Sequence, residues 1–463
     1  MIKKILIANR GEIAVRVIRT CREMNVRTVA VYSEADRDSL HVRMADEAVC
    51  IGPAPPARSY LNIANIISAA KITGADAVHP GYGFLAENDA FAAACAANGI
   101  KFIGPPPEAI RLMGDKMRAR EVMLSAGVPV LPGSREALTE ARQALQAAEQ
   151  IGYPVMIKAS RGGGGKGMRV ARCREELMKA VMAARSEAAA AFGSGEIYLE
   201  KYLEEARHVE VQVLADGCGN IIHLGERDCS VQRRNQKIIE EAPSAAVDGE
   251  LRAQLGAAAV KAARAANYRN AGTVEFLLDK NGQFYFMEMN TRIQVEHPVT
   301  EMITGLDLVR EQIRLAAGEE LGYRQEDIQL TGWSVECRIN AEDPERGFVP
   351  CAGRITACQY PGGAGVRLDC AVFPGYEVTP YYDSLLAKLI VWGRSRDEAL
   401  ARMRRALDEM KIEGVKTNIA LQRAVLDSEH FRCGRVSTNF MHSWMKQEWA
   451  PRCARQPRTN AGG

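Results

Sequence analysis

The sequence lacks three features that would each assign a class of protein: a cysteine metal site, a membrane-length apolar run and an excess of one charge. Its 12 cysteines are scattered without a Cys-x-x-Cys pair, which argues against zinc and favours reduced thiols in a cytoplasmic protein. The net charge is only +3, from 60 basic and 57 acidic residues. Charge therefore favours neither nucleic acid nor a membrane surface as partner. No apolar run approaches a membrane span.

The first strand-to-helix turn also lacks the glycine fingerprint of dinucleotide-binding domains. Residues 2–8 predict a short apolar strand, a helical pattern follows, and residues 27–32 predict a second strand. This order is typical of a parallel sheet with right-handed crossovers, in other words a Rossmann-like unit. The turn itself reads Asn9-Arg-Gly-Glu, so a dinucleotide is not indicated.

A chain of 463 residues suggests about three domains. We expect an α/β and α+β multidomain protein with a Rossmann-like N-terminal domain at 1–114. A central domain at 115–331, with a mobile glycine-rich lid at about 130–203, would follow. An α+β domain at 332–446 and a frayed, polar tail at 447–463 would complete the chain.

One predicted hairpin carries acids where packing does not explain them. Asn281-Gly282 separates two strand-like runs and is the strongest short hairpin signal. If these two residues form the loop, Glu275 lies opposite Glu288, where paired acids should repel each other. Asn290 and Arg292 continue the same face. A divalent-metal site explains the pairing; a solvated outer face is the alternative, and a three-residue loop would break the register.

A second candidate site is the glycine-rich loop at 161–167, which lies between two predicted strands and not before a helix. Neither the dinucleotide fingerprint nor a Walker loop applies to that context. Free backbone amides, with Lys158 and Lys166 beside them, nevertheless favour phosphate binding by a lid. A disordered surface loop is the alternative.

Two further segments are candidates for ligand contact. His79-Pro-Gly-Tyr-Gly-Phe-Leu-Ala-Glu-Asn follows a predicted strand, at the sheet edge where open α/β folds bind ligands; an ordinary tight turn is equally compatible. The mixed charges of residues 226–237 fit either a solvated face or an anion-binding segment. These patterns leave both questions open.

Four long motifs follow one another along the chain. They begin at Asn9, His79, Glu288 and Glu336 and read Asn-Arg-Gly-Glu-Ile-Ala, His-Pro-Gly-Tyr-Gly-Phe-Leu-Ala-Glu-Asn, Glu-Met-Asn-Thr-Arg-Ile-Gln-Val-Glu-His-Pro and Glu-Cys-Arg-Ile-Asn-Ala-Glu-Asp-Pro. In this order they resemble the signature runs of biotin carboxylases, which are ATP-grasp enzymes. The resemblance covers about residues 1–445. It implies a ligase that uses ATP and bicarbonate to form carboxyphosphate, which carboxylates a ureido nitrogen of biotin.

The resemblance also implies site residues. Those at the nucleotide would be Lys116, Lys158, Gly164, Gly165, Met168, Glu200, Lys201, Leu203, His208, Gln232, Leu277 and Glu288. Two Mg²⁺ or Mn²⁺ ions would be held by Glu275, Glu288 and Asn290. The bicarbonate and biotin pocket would contain Tyr82, Lys237, Arg292, Gln294, Val295 and Arg338. Of these, Lys237, Arg292 and Arg338 would be catalytic, with Glu296 as general base.

Some positions depart from the family pattern. Asn235 stands where members often carry histidine, which puts one nucleotide contact in doubt, and the hairpin tip at Asp279 is one residue longer than in some relatives. Met410-Lys411 is similar to a biotin-attachment site, but it ends a predicted amphipathic helix, whereas attachment needs an exposed hairpin tip. Biotin should therefore arrive on a separate carrier protein.

The implied assembly is a homodimer that works with a biotin carboxyl carrier protein and carboxyltransferase subunits, most simply as acetyl-CoA carboxylase. Pyruvate, propionyl-CoA and urea carboxylases use the same module. An ATP-grasp ligase for another carboxylate, or a silent nucleotide-binding scaffold, is a further alternative. The residues Lys237, Arg292, Glu296 and Arg338 argue against a scaffold, which has no need of them.

Overall fold

The computed structural model describes residues 2–134, 136–138, 140–160, 168–192 and 195–455. The first part of the chain forms a parallel five-stranded sheet in the order β3-β2-β1-β4-β5. Its strands are β1 Lys4–Ile7, β2 Arg27–Tyr32, β3 Glu47–Cys50, β4 Ala77–His79 and β5 Lys101–Phe102. Its helices are α1 Gly11–Glu23, α2 Leu40–Met44, α3 Ile63–Thr73, α4 Asp89–Ala97 and α5 Pro107–Gly114. The predicted Rossmann-like order is therefore confirmed.

The turns after β1 and β4 meet at the carboxyl edge of this sheet. The Asn9 side chain donates to the carbonyls of Pro80 and Tyr82, each at 2.7 Å. Gly81 has φ +61°, and a Cβ there would lie 2.9 Å from the Asn9 amide nitrogen, so the close approach requires glycine. Two of the sequence motifs thus form one local structure.

Helix α6, Lys116–Ser125, leads into a small three-stranded unit in the order β7-β6-β8. Its elements are α7 Ala141–Ile151, β6 Val155–Ala159, β7 Arg169–Ala171, α8 Arg174–Phe192 and β8 Ile197–Lys201. Strands β6 and β7 are antiparallel, as the strand–loop–strand prediction required. The glycine-rich loop at 161–167 lies outside the described residues.

The largest sheet has eight antiparallel strands in the order β13-β12-β9-β10-β11-β14-β21-β19. It contains β9 Arg207–Ala215, β10 Ile221–Arg233, β11 Gln236–Ala242, β12 Asn270–Leu278 and β13 Phe284–Asn290. Helices α9 Gly249–Ala265, α10 His297–Thr304 and α11 Leu308–Ala317 belong to the same part of the chain. Strands β14 Trp333–Asn340, β19 Val366–Cys370 and β21 Leu385–Gly393 extend the sheet beyond residue 332, so the expected boundary at 331/332 falls inside one sheet.

The last part of the chain packs short strands and helices on that extension. The short strands are β15 Glu342–Asp343, β16 Val349–Pro350, β17 Gly353–Arg354, β18 Ala357–Gln359, β20 Glu377–Val378 and β22 Lys411–Glu413. The helices are α12 Arg396–Glu409, α13 Ile419–Asp427, α14 Glu429–Arg432, α15 Phe440–Trp444 and α16 Ala450–Arg455. Leu407 and Met410 are buried, which confirms the inward face predicted next to Lys411.

One local expectation was wrong. Residues 445–455 are helical and Trp449 is buried in the core, so this part of the tail is not frayed. The segment 300–320 contains two helices because α10 ends at Gly305 with φ +73°. Residues 226–232 are buried strand, which excludes the solvated face, one of the two alternatives, for this part of the segment. Among the described residues, no helix is long and apolar enough to cross a membrane.

Candidate functional site

The predicted hairpin places Glu275 opposite Glu288, but by a different route from the one that the sequence suggested. The loop is longer than two residues, because Leu278 pairs with Phe284 and Phe276 with Phe286. A β-bulge between Glu275 and Phe276 in the register then shifts the pairing by one residue. The extra loop residue and the bulge cancel, so the acids face each other as expected.

Glu210 extends the acidic pair to a row across three strands. It lies opposite Glu275 on β9, just as Glu288 does on β13. We call Glu210, Glu275 and Glu288 the acid row. Glu210 and Glu275 are buried, and Glu288 is about one-third exposed. The row therefore runs from the interior toward solvent.

The acid row is held by cations and amides. Glu275 Oε1 accepts from Lys237 Nζ at 3.0 Å, from Asn290 Nδ2 at 2.8 Å and from Gln294 Nε2 at 2.7 Å. Its Oε2 lies 3.0 Å from His208 Nε2. Burial alone would raise the pKa of Glu275, but Lys237 and His208 hold it well below the ordinary value. Burial would lower the pKa of His208, and Glu275 raises it overall.

The donor set fits a divalent cation. Side-chain ligand atoms of His208, Glu210 and Glu275 lie within 4.8 Å of one another, and Glu275 stays ionised. Carboxylate and amide oxygens are the ligands that Mg²⁺ prefers. The oxygens of Glu275, Glu288 and Asn290 therefore suit Mg²⁺ well, and Glu210 is an acid that the sequence interpretation did not select.

Lys237 joins the acid row to a second group of charges. Its ammonium lies 2.6 Å from Glu210 Oε2, 3.0 Å from Glu275 Oε1 and 2.6 Å from Glu296 Oε1. Burial would lower the pKa of this amine, but the three carboxylates hold it well above the ordinary value. Lys237 is therefore a fixed positive charge between the acid row and Glu296.

Each carboxylate oxygen of Glu296 accepts a hydrogen bond from a cationic side chain. Its Oε1 accepts from Lys237, and its Oε2 accepts from Arg338 Nη2 at 2.8 Å. Burial would raise the pKa of Glu296, but Lys237 and Arg338 outweigh it and hold the pKa well below the usual range. Arg338 Nε donates to Glu240 Oε1 at 2.6 Å, which fixes the guanidinium beside Glu296. Glu296 is thus a carboxylate.

The segment 291–296, which follows β13, is held by residues from distant parts of the chain. Arg292 Nε donates to Glu87 Oε2 at 2.8 Å, and its Nη2 donates to Asn290 Oδ1 at 3.0 Å. Glu87 also accepts from the Thr291 amide at 3.1 Å. The Asn290 oxygen therefore accepts one hydrogen bond from Arg292 and keeps a second lone pair for a metal.

Arg227 connects the segment 291–296 to the acid row by hydrogen bonds to Gln294 and Glu210. The residue is fully buried, and its five N–H donors have acceptors at 2.5–3.1 Å. The acceptors are Glu210, Gln212, Thr273, Gln294 and Thr300. An unpaired buried guanidinium would be strongly destabilising, so Arg227 fixes the positions of Glu210 and Gln294 together.

Two of the lysines expected at the nucleotide each contact a carboxylate. Lys116 Nζ is 3.4 Å from Glu288 Oε2, and Lys158 pairs with Glu200 on the neighbouring strand. Arg120 also contacts Glu200, at 3.1 Å. Leu203 lines a cavity of about 1120 Å³ beside the segment 201–207.

The other expected nucleotide residues are placed as follows. The Lys201 ammonium donates to the carbonyls of Gly152 and Tyr153, and its backbone amide donates to the Pro132 carbonyl at 2.8 Å. Leu277 pairs with His208 and shares the face of Glu275. Gln232 is opposite Lys237, and Met168 precedes β7. Gly164 and Gly165 lie outside the described residues.

A second cavity, of about 570 Å³, opens beside Glu296. It is lined by Tyr82, Lys237, Arg292, Val295 and Arg338, among others. The Tyr82 hydroxyl donates to Glu12 Oε1. The residues expected to bind bicarbonate and biotin thus share one cavity, with Gln294 buried just behind it.

Sequence reasoning missed Glu87, Glu210, Arg227 and Glu240. The alternation of residues 208–214 could have indicated Glu210, which shares a face with His208. Arg227 and Glu240 stand out only once their strands are known to be buried. Glu87 belongs to a motif that the sequence singled out, but its partner Arg292 is 205 residues away. No local pattern indicates that contact.

Three family models match the chain. Residues 1–110 match the biotin carboxylase N-terminal domain, 115–324 the ATP-binding domain of the carbamoyl-phosphate synthase L chain, and 336–443 the biotin carboxylase C-terminal domain. Biotin carboxylase 1 of Bacillus subtilis is 59% identical over 445 residues, which cover 96% of this chain and 99% of the relative.

Two solved structures of biotin carboxylases are similar to this chain over nearly its full length. A biotin carboxylase complex with β-γ-ATP from Campylobacter jejuni superposes with a TM-score of 0.94 at 51% identity, covering 96% of this chain and 99% of that one. The biotin carboxylase domain dimer of Hydrogenobacter thermophilus 2-oxoglutarate carboxylase, in complex with MgADP, ADP and bicarbonate, gives 0.93 at 54%, covering 96% and 98%. The expected multidomain architecture is confirmed, and the chain belongs to the biotin carboxylase family of ATP-dependent ligases.

Proposed function

We propose that this chain carboxylates biotin on a carrier protein, using ATP and bicarbonate, as the first half-reaction of a biotin-dependent carboxylase. The observation that carries the proposal is the position of Lys237, which contacts Glu210, Glu275 and Glu296 at once. It puts the acid row, suited to a nucleotide's cation, directly beside the base and the cavity of Tyr82 and Arg338. One site thus holds the phosphoryl donor next to its acceptor.

Glu296 is the general base of the proposed reaction. Removing the bicarbonate proton makes its oxygen nucleophilic toward the γ-phosphorus of ATP. As the new P–O bond forms, the bond to the β,γ-bridging oxygen breaks and ADP leaves. In the arrangement described above, Lys237 and Arg338 make Glu296 a weak base, because both stabilise its anion. Bicarbonate and biotin each offer an oxygen to these cations, so substrate binding loosens their grip on Glu296 and raises its basicity.

Arg292, Lys237 and Arg338 bind the two acceptors. The Arg292 guanidinium can grip planar bicarbonate with two parallel donors, which an ammonium cannot do. Arg338 stabilises negative charge that develops on the ureido oxygen of biotin, and losing such a donor typically costs about 100- to 1000-fold in rate. Gln294 and Val295 complete the bicarbonate pocket, and Tyr82 packs beside biotin.

The nucleotide lies between the lid and the acid row. Lys116 and Lys158 bind its phosphates with the amides of Gly164 and Gly165. The adenine ring is surrounded by Met168, Glu200, Lys201, Leu203 and Leu277. His208 and Gln232 face the ribose. Glu275, Glu288 and Asn290 hold two Mg²⁺ or Mn²⁺ ions. When bound, such ions neutralise charge on the β- and γ-phosphates during phosphoryl transfer.

The assembly that we propose is cytoplasmic and homodimeric. It receives biotin from a biotin carboxyl carrier protein and works with carboxyltransferase subunits, which choose the final acceptor. We assign the chain to an acetyl-CoA carboxylase, whose role would be fatty acid biosynthesis. The 2-oxoglutarate carboxylase domain among the similar structures supports the same first half-reaction with another acceptor.

The test is ATP hydrolysis by the purified chain with and without bicarbonate, and with and without free biotin. We expect turnover to require bicarbonate and Mg²⁺ and to be stimulated by biotin. Stimulation by an amino or carboxylate substrate instead, with indifference to bicarbonate, would assign another ATP-grasp ligase. No turnover, with nucleotide still bound, would indicate a scaffold.

A further inference from the structure

Lys388 is a fully buried lysine to which none of the roles above is assigned. It lies in the middle of β21, where its neighbours are apolar. Burying an ammonium in such surroundings is costly unless it is paired and hydrogen-bonded. Its partners therefore indicate why a lysine is placed there.

The partners come from three separate parts of the chain. Lys388 Nζ donates to the Val295 carbonyl at 2.9 Å, lies 3.2 Å from Glu12 Oε1, and is 3.8 Å from Asp369 Oδ2. Asp369 accepts hydrogen bonds from Nε and Nη2 of Arg367, at 2.9 and 2.8 Å. Among the described residues, Glu12 and the Val295 carbonyl are thus the two groups within hydrogen-bond distance of the ammonium.

The contact with Val295 acts on the base. The Val295 carbonyl and the Glu296 amide nitrogen share one rigid peptide plane. Fixing that carbonyl sets the direction in which the chain enters Glu296, whose carboxylate contacts Lys237 and Arg338. On the other side of Val295, Gln294 is fixed by Arg227 and Glu275. Lys388 holds the next peptide, between Val295 and Glu296, in the same way.

The contact with Glu12 acts on the opposite wall of the cavity. The Tyr82 hydroxyl donates to the same Glu12 oxygen that faces Lys388, and the ammonium lies 5.9 Å from the centre of the Tyr82 ring. Tyr82, Val295 and Glu12 all line the 570 Å³ cavity. One buried cation therefore sets the spacing between the two walls of this cavity.

We propose that Lys388 is a positioning residue for the bicarbonate segment, residues 291–296: it fixes the peptide between Val295 and Glu296 directly, and the phenol of Tyr82 through Glu12. The inference rests on the proposed function for its kinetic consequence. Its structural consequence, an ordered segment 292–297, holds whatever the substrate is.

The test compares Lys388→Met, which keeps the length and removes the charge, with a matched control, Arg396→Met. Arg396 is also a mostly buried cation of this part of the chain; its Nε lies 2.7 Å from Glu241 Oε2, and it is not among the residues that line the 570 Å³ cavity. Since a small displacement of a reacting group can cost up to about 100-fold, we expect Lys388→Met to raise the KM for bicarbonate at least about tenfold. The KM for ATP should change by less than about twofold.

Amide hydrogen exchange supplies a readout that does not depend on activity. In the absence of substrates, the amides of residues 292–297 should exchange at least about tenfold faster in Lys388→Met and at the original rate in Arg396→Met. Glu12→Gln, which keeps the contact with Val295, should reduce stimulation by biotin more than it changes the KM for bicarbonate.

Several outcomes would overturn the proposal. They are an unchanged exchange rate at 292–297, an unchanged KM for bicarbonate in an active enzyme, or equal effects in Arg396→Met. If Lys388→Met does not fold, Lys388→Met combined with Glu12→Gln removes the acid left unpaired; failure of that variant too, with Arg396→Met folded, would make Lys388 purely structural. Bicarbonate-independent turnover by the unmodified chain would refute the proposed function, while the exchange result would still decide the role of Lys388.

Discussion

The acid row and the bicarbonate segment, residues 291–296, are neighbours that are held in place in different ways. Glu210, Glu275 and Glu288 sit on three adjacent strands, and backbone register alone brings them side by side. Within the described part of the chain, the segment pairs with no strand. It is held by side chains from distant residues, namely Glu87, Arg227, Lys237, Arg338 and Lys388. A sheet edge thus supplies a rigid half of the site, and long-range contacts supply an adjustable half.

This difference suits the chemistry that we propose. The cation that accompanies ATP needs a fixed set of oxygens, whereas Glu296 must pass from a tightly paired carboxylate to a working base when substrates arrive. A residue anchored by side-chain contacts can make that change at lower cost than one fixed by a β-ladder. The comparison predicts different effects for mutations in the two halves.

The largest effect is expected for Glu296→Ala in the segment. Loss of the general base should lower biotin-dependent turnover by about 100- to 10,000-fold and leave ATP affinity within about threefold, because the acid row stays intact. Turnover assays and nucleotide titration provide the measurements. Glu241→Ala, which removes an equally buried acid paired with Arg396, is the control. Loss of ATP binding in Glu296→Ala would contradict the role as base.

The next effect is expected for Glu275→Gln in the acid row. The neutral amide cannot balance Lys237, so the Mg²⁺ concentration for half-maximal turnover should rise about 10- to 100-fold. A magnesium titration at saturating ATP measures this. Glu226→Gln, in a buried acid that pairs with Arg252, should leave the titration unchanged. An unaltered magnesium requirement for Glu275→Gln would separate the row from metal binding.

A smaller effect is expected for Glu87→Gln, which weakens the contacts of Glu87, a residue of the N-terminal part of the chain, with Thr291 and Arg292. The ion pair with Arg292 is partly exposed on the side of Glu87, and such pairs contribute at most about 1 kcal/mol. The KM for bicarbonate should therefore rise up to about fivefold, with kcat nearly unchanged. Asp89→Asn breaks the comparably exposed Arg111 pair and serves as control; an equal rise there would show a general effect of the domain.

The smallest effect is expected for Glu336→Gln. Glu336 is a buried acid that lacks the hydrogen-bond partners of the acid row. Both of its carboxylate oxygens lack hydrogen-bond partners among the described residues; burial raises its pKa well above the ordinary value, although Lys388 opposes the shift.

A raised folded-state pKa gives stability that is complete below about pH 4.5 and is lost as the pH rises toward the raised value. The variant should therefore melt higher than the original chain by a margin that grows between pH 5 and 8, to roughly 2 °C. Thermal melts across that range measure it, and a margin independent of pH would show that Glu336 keeps its charge.

How much of the site the sequence predicts depends on which half is considered. Strand alternation was sufficient to put Glu288 and Asn290 on one face, because period two is a local property. The pairing with Glu275 was as expected only because the extra loop residue and the bulge cancel. The resemblance to a family supplied Lys237, Arg292, Glu296 and Arg338. Neither approach identified Lys388, although a lysine inside the apolar run of β21 is itself a signal, because its partner Val295 is 93 residues away.

The fold shows the same division. The parallel N-terminal sheet and helix Arg396–Glu409 follow from local periodicity. The continuation of the eight-stranded sheet across residue 332 does not, because it depends on β11 pairing with β14 over a separation of about one hundred residues. The burial of the charged run at 226–232 has the same origin, because its ion pairs are made with distant residues: Glu226 with Arg252, Arg227 with Glu210 and Asp228 with Arg207.

The bulge beside Glu275 has a consequence for how this protein tolerates insertions and deletions. The hairpin tip from Asp279 to Gln283 is closed by its own bonds, since the amides of Asn281 and Gln283 donate to the Asp279 side chain. The bulge offsets the one residue by which the tip exceeds a two-residue loop. A tip one residue shorter, on a strand without the bulge, would therefore keep Glu275 and Glu288 face to face.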